Sequence, residues 1–96
     1  MMNKAWYAVA VSSPTEGSGT VEYFDGLESA KVYAEWLCVH DREVLADRVD
    51  QSIGIRPMDI ELVFIDRWVQ TEDEYTEPDE TFKELKYVPI YMRGDE

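Results

Sequence analysis

One helical stretch lies in the middle of the chain, with strand-like segments on both sides of it. Residues 25–40, DGLESAKVYAEWLCVH, carry apolar side chains at the spacing of one helix face. These side chains belong to Leu27, Ala30, Ala34, Leu37 and Cys38. A second helical piece over residues 41–52 either continues this helix or forms another one. Because one helical region covers only one face of a sheet, we expect the other face to stay partly exposed.

Four segments have the composition of β-strands. Residues 4–13 are rich in aromatic and β-branched residues and are apolar on both faces at their middle, which is typical of a central strand. Residues 20–24 return after a short Gly-containing loop, which favours an antiparallel pair. Residues 60–70 form a long strand, and residues 87–93 form a last one at the sheet edge, since they contain Pro89.

The order of these elements, β-β-α-(α)-β-β, predicts an α+β fold. We expect a four-stranded antiparallel sheet with one helical region packed on one face. A length of 96 residues is that of one domain, so residues 1–96 are predicted to fold as a single acidic unit.

Charge limits the classes of partner. The chain has 21 acidic and nine basic residues, a formal net charge of -12. Phosphates repel such a surface, so we expect no direct binding to nucleic acid and none to anionic membranes. A basic protein surface is attracted instead. The alternative is that the charge serves only to keep a small protein soluble and monomeric.

Catalysis and cofactor binding have little support in the sequence. Cys38 and the lone histidine, His40, lie two positions apart on the predicted helix and point in different directions, so they cannot act as a pair. Zinc ligands are too few, and the acidic segment has Pro78 but no glycine where a calcium loop needs one. We therefore expect no enzyme, no cofactor and no metal site.

Asp66 is the acid that stands out, because it interrupts an apolar strand. Burial of its side chain would raise its pKa. Pairing with a residue of the next strand is the ordinary outcome for such an acid. Carboxylate catalysis at Asp66 is a third hypothesis for function, and it would need a pocket.

The acidic segment TEDEYTEPDE, residues 71–80, is the candidate binding site. Its predicted partner-binding residues are Glu72, Asp73, Glu74, Tyr75, Glu77, Asp79 and Glu80, joined by Asp47 and Asp50 from the helical region. Acids at this density can approximate the phosphate spacing of DNA, and the tyrosine can serve as an aromatic anchor. The alternative is a loop that is merely solvated.

No motif assigns the chain to a family. In its length, its charge and the acidic run at residues 72–80, the chain looks like small acidic phage proteins that disable host defences, such as DNA-mimic inhibitors and many anti-CRISPR proteins. The resemblance implies an inhibitor that occupies the basic surface of a host nucleic-acid-processing protein. The alternative is a non-catalytic structural or assembly module, monomeric or homodimeric, that acts through its open sheet face or an edge strand.

The cellular location is predicted from what the sequence lacks. A single cysteine excludes an internal disulfide framework. The N-terminal apolar run is too short for a signal peptide, and no segment reaches the ~20 apolar residues of a membrane span. We expect a cytoplasmic protein, located in the host cytoplasm if a phage encodes it.

Overall fold

The structure is a computed structural model and describes residues 4–15, 17–39 and 60–89. It contains five strands and one helix in these ranges. They are β1 (Lys4–Ser13), β2 (Gly17–Phe24), α1 (Leu27–Val39), β3 (Leu62–Gln70), β4 (Thr76–Pro78) and β5 (Leu85–Tyr87).

The strands form one antiparallel sheet in the order β2-β1-β3-β4, and β5 also pairs with β3. One edge of β3 pairs with β1 along the whole strand. The short strands β4 and β5 therefore share the other edge, where β4 pairs with the end of β3 and β5 with its beginning. The sheet is four strands wide, and its outer strand is divided into two pieces.

Helix α1 packs on one face of this sheet. Alternate side chains of β1 and β3, among them Val9, Val11, Val63 and Ile65, point towards the helix and are buried. The helix contributes Ala30, Ala34, Leu37 and Cys38 to the same core, and Ile60 completes it. Each large aliphatic side chain buried here contributes about 1.5–3 kcal/mol to the free energy of unfolding.

The small residues of α1 explain how closely it approaches the sheet. Ala30 and Ala34 have no exposed surface, so the helix axis lies close to the strands. The first helical hydrogen bond runs from the Ala30 N–H to the carbonyl of Gly26, at 3.2 Å. The helix therefore begins with Gly26 at its N-cap.

The α+β class, the antiparallel sheet and the helix on one face are all confirmed. The acidic segment contains strand β4, which the sequence did not predict. Among the described residues, β5 covers Leu85–Tyr87 and so shares only Tyr87 with the strand predicted over residues 87–93. The predicted second helical piece, with Asp47 and Asp50, lies outside the described residues, as do residues 90–93.

Candidate functional site

Residues 71–75 of the acidic segment form the tip of a β-hairpin between β3 and β4. The N–H of Thr71 donates a hydrogen bond to the Tyr75 carbonyl at 2.8 Å, and the Glu74 N–H donates to the Thr71 carbonyl at 3.0 Å. The Tyr75 N–H also donates to the Thr71 hydroxyl oxygen, at 3.3 Å. Glu74 has a φ of 67°, the left-handed conformation that tight turns often require. The turn therefore holds the tip in a defined conformation.

The hairpin tip carries exposed acids around a protruding tyrosine. Glu72, Asp73 and Glu74 are all exposed, and Tyr75 keeps 72% of its surface in solvent. Glu77 on β4 and Glu80 after it are exposed as well. In the part of the chain that the structure describes, none of these carboxylates forms a salt bridge. Their charge is therefore available to a partner.

Asp79 differs from the other acids of the segment, because its carboxylate is already engaged. It accepts hydrogen bonds from the Thr81 hydroxyl at 2.6 Å, from the Thr81 N–H at 3.0 Å and from the Arg67 Nε at 2.6 Å. The same guanidinium also forms an ion pair with it. These contacts lower the pKa of Asp79 to about 2, and the hydrogen bonds from Thr81 make the largest contribution. The carboxylate closes the base of the hairpin and is not displayed for a partner.

Aromatic rings fix the guanidinium that meets Asp79. The Arg67 side chain lies 5.6 Å from the centre of the Phe82 ring, within the range of a cation–π contact. Phe82 in turn meets the ring of Tyr7 edge-on at 5.7 Å. The Asp79 N–H donates to the Arg67 carbonyl at 2.8 Å. The hairpin is thus anchored to β3 and to the rim of the core.

The face of the sheet away from α1, here called the distal face, carries a second group of chemically interesting residues. Trp6 of β1 lies directly opposite Trp68 of β3 in the sheet register. Phe64 and Asp66 share this face with Trp68, because side chains alternate along a strand. The distal face is therefore aromatic and contains an acid.

A cavity of about 200 Å³, here called the slot, lies on the distal face. Its lining residues are Ala8, Ala10, Ser18, Gly19, Thr20, Phe64, Asp66 and Trp68. Ala8 and Ala10 are only 1% and 5% exposed, although they lie on the face away from the helix. The larger side chains around them therefore form walls above a recessed alanine floor.

Asp66 stands at the slot beside a second acid. Burial raises the pKa of Asp66, and the charge of Glu84 and a hydrogen bond between the two carboxyl groups raise it further, while Lys86 lowers it. The Nζ of Lys86 lies 3.4 Å from Oε1 of Glu84. The sequence indicated that Asp66 would pair with the next strand, but it gave no sign that the partner would be another acid.

The other features considered are the single cysteine and histidine, metal ligands and membrane-spanning helices. Cys38 lies on the buried face of α1, in the core, and His40 lies outside the described residues. Within the described ranges, no three histidine, cysteine or acidic side chains come together as a metal site. No helix in those ranges is both long and apolar enough to cross a membrane.

Comparisons with known proteins give no family. No protein-family model, no curated protein and no solved structure matches the chain. Function therefore has to be inferred from two surfaces of the molecule. One is the hairpin tip, with Glu72, Asp73, Glu74 and Tyr75, and the other is the distal face.

Proposed function

We propose that the protein is a non-catalytic inhibitor that binds a basic protein surface through the tip of its β3–β4 hairpin. Its partner would be a cytoplasmic protein that processes nucleic acid, and binding would exclude DNA or RNA from the partner's surface. The observation that supports this proposal is the combination of unpaired, exposed carboxylates at Glu72, Asp73 and Glu74 with a protruding Tyr75 on one fixed turn.

The geometry of the tip suits binding in two respects. A hydrogen bond between Thr71 and Tyr75 already orders the turn, so the turn would lose less conformational entropy when a partner binds it. An exposed tyrosine among charges resembles the aromatic anchors that contribute most to many interfaces. The acids around it would speed encounter with a basic partner, and added salt would screen that attraction.

The test compares two triple variants that lose the same charge. In the hairpin variant, Glu72→Gln, Asp73→Asn and Glu74→Gln are combined. In the control variant, three exposed acids elsewhere on the molecule are changed. They are Glu22→Gln, Glu35→Gln and Glu61→Gln. Each variant serves as bait for bacterial lysate at low salt, beside the wild type, and bound proteins are eluted with a salt gradient and identified by mass spectrometry.

We expect the wild type and the control variant to retain one basic nucleic-acid-processing protein that the hairpin variant loses. Adding duplex DNA to the lysate should release that protein, because the two would compete for one surface. Equal loss from both variants would show that net charge alone is responsible. Capture that survives in the hairpin variant would contradict the proposal.

A second candidate function is assembly through the distal face. The facing pair Trp6 and Trp68, with Phe64 beside it, favours this function, because aromatic side chains are enriched at protein interfaces. This candidate predicts a mass above that of the monomer in light scattering, with little dependence on salt. Trp68→Ser should then return the protein to a monomer, whereas the hairpin variant should not.

A further inference from the structure

The slot on the distal face has the size of a single side chain. Its volume of about 200 Å³ is smaller than the ~300–1,000 Å³ of pockets that hold drug-sized ligands. Ala8, Ala10 and Gly19 give it a smooth floor, and Phe64 and Trp68 stand beside that floor. An extended aliphatic stem could lie along such a surface with a polar group at its end.

Three side chains of the slot can accept hydrogen bonds. They are the carboxylate of Asp66 and the hydroxyl oxygens of Ser18 and Thr20. The faces of Phe64 and Trp68 carry negative electrostatic potential and attract cations. A planar cation with several N–H donors matches this set of groups better than a compact ammonium ion does. An arginine side chain has both the aliphatic stem and the planar cation.

We propose that the slot binds the guanidinium group of an arginine side chain from a partner protein, with Asp66 as the counter-charge. The stem would lie over Ala8 and Ala10, and the aromatic walls would face the planar cation. This inference goes beyond the hairpin, because the slot and the hairpin tip share no residue. It stands whether or not the tip binds anything.

Two charged groups bear on Asp66 within the described residues, Glu84 and Lys86. The residues that β1 and β2 contribute to the slot are uncharged. Lys86 forms an ion pair with Glu84, and burial and the charge of Glu84 raise the pKa of Asp66. A bound guanidinium would stabilise the carboxylate form of Asp66, so binding should lower the pKa of this residue.

The test uses N-acetyl-L-arginine amide, in which the main chain is blocked as it is in a protein. It is titrated into isotopically labelled wild-type protein and followed by NMR. We expect saturable shifts at the Ala8 and Ala10 methyl groups and at the Trp68 indole, together with a lower pKa in the Asp66 carboxyl titration. The corresponding citrulline derivative, which has a similar shape without the charge, should not bind.

Three kinds of variant should weaken, tighten or leave unchanged the affinity for the arginine derivative. A general loss of structure would only weaken it. Asp66→Asn should weaken binding about tenfold, because it removes a charged hydrogen-bond acceptor. Lys86→Gln should tighten binding, because it removes the competing cation. The hairpin triple variant and Glu35→Gln, on the helix, should bind like the wild type. Amide spectra of each variant confirm that it is folded.

Several results would overturn the proposal. They are binding of the citrulline derivative with equal affinity, unchanged affinity in folded Asp66→Asn, and an absence of shifts around the slot. Binding of free L-arginine but not of its blocked derivative would overturn the assignment to a protein side chain. The proposed inhibitor function is judged separately by the hairpin variant in lysate, so either conclusion can fail while the other stands.

Discussion

One aspartate near each face of strand β3 has a shifted pKa, and the two shifts have opposite directions. On the face towards α1, Arg67 meets Asp79, and the pKa of that carboxyl falls to about 2. On the distal face, the adjacent residue Asp66 meets Glu84, and its pKa rises. Neighbouring residues of one strand thus belong to different electrostatic environments, because successive side chains point to opposite sides of a sheet.

The difference separates an acid whose charge the fold stabilises, Asp79, from one whose charge it stabilises poorly, Asp66. The contacts of Asp79 are all internal, and they serve the hairpin. Asp66 has a like-charged neighbour and lies at a cavity, so its own fold stabilises its charged form poorly. Acid content alone would treat the two residues as equivalent.

The largest expected effect is the loss of stability when a buried side chain on the helix-covered face of the sheet is truncated, compared with a truncation on the distal face. Ile65→Ala should lower the free energy of unfolding by roughly 2–5 kcal/mol, because Ile65 has no exposed surface and its truncation leaves a cavity. Phe64→Ala, the next residue on the distal face, should cost about 1–1.5 kcal/mol, because Phe64 is only partly buried. Urea denaturation measures both. Equal losses would show that the distal face is as well covered as the core.

The second effect concerns Asp79, whose carboxylate is hydrogen-bonded by other residues of the same chain. Its pKa is lower in the folded chain than in the unfolded chain, so its contribution to stability is complete above 3.8 and is lost as the pH falls through about 2. Asp79→Asn should therefore lower the free energy of unfolding at neutral pH, and the difference from wild type should shrink as the pH falls towards 2 and vanish below it. Thermal melts across this range test the change. A difference that does not depend on pH would exclude the charge as its cause.

The third effect is smaller and has the opposite sign. The folded chain holds the Asp66 proton to a higher pH than the unfolded chain does, so stability falls as the pH rises from 3.8 through the raised pKa. Asp66→Asn should stabilise the protein at neutral pH by a few tenths of a kcal/mol, since the side chain is partly solvated and its interactions are screened. The gain should disappear at acidic pH. A loss of stability at neutral pH would contradict the like-charge environment of Asp66.

The smallest effect concerns the hairpin tip. Tyr75→Ala should change the free energy of unfolding by no more than about 0.5 kcal/mol, because Tyr75 is 72% exposed. The same change should cost about 1–3 kcal/mol in binding to the partner if the tyrosine becomes a buried anchor. Calorimetry with the captured partner measures that cost. A cost of only a few tenths would exclude Tyr75 as an anchor.

The elements with strong local patterns could be predicted from the sequence. The predicted strand over residues 4–13 coincides with β1, because a long β-branched and aromatic run ends at a Pro- and Gly-containing turn. The helix followed from the spacing of its small apolar residues. In both segments the local preference agrees with the tertiary structure.

Features that depend on the register could not be predicted in this way. Strand β4, TEP, has no apolar alternation, and it forms because the end of β3 offers backbone groups to pair with. The contact between Asp66 and Glu84 arises from the pairing of β3 with β5, which no local pattern specifies. The engagement of Asp79 likewise required the hairpin to bring it to Arg67. The acidic composition of the segment suggested that its acids and Tyr75 bind a partner. The structure shows that Tyr75 and most of these acids are exposed, and their role in binding remains a prediction.

The division of the outer strand has a consequence for self-association. An uninterrupted edge strand is a template on which another copy can add a strand, and this is a common start of aggregation. Beyond β3, that template is cut into β4 and β5, each only three residues long, with the turn at Asp79 between them. Pro78 also lacks the N–H that a pairing strand would use. This edge therefore protects the molecule from growing into a continuous intermolecular sheet.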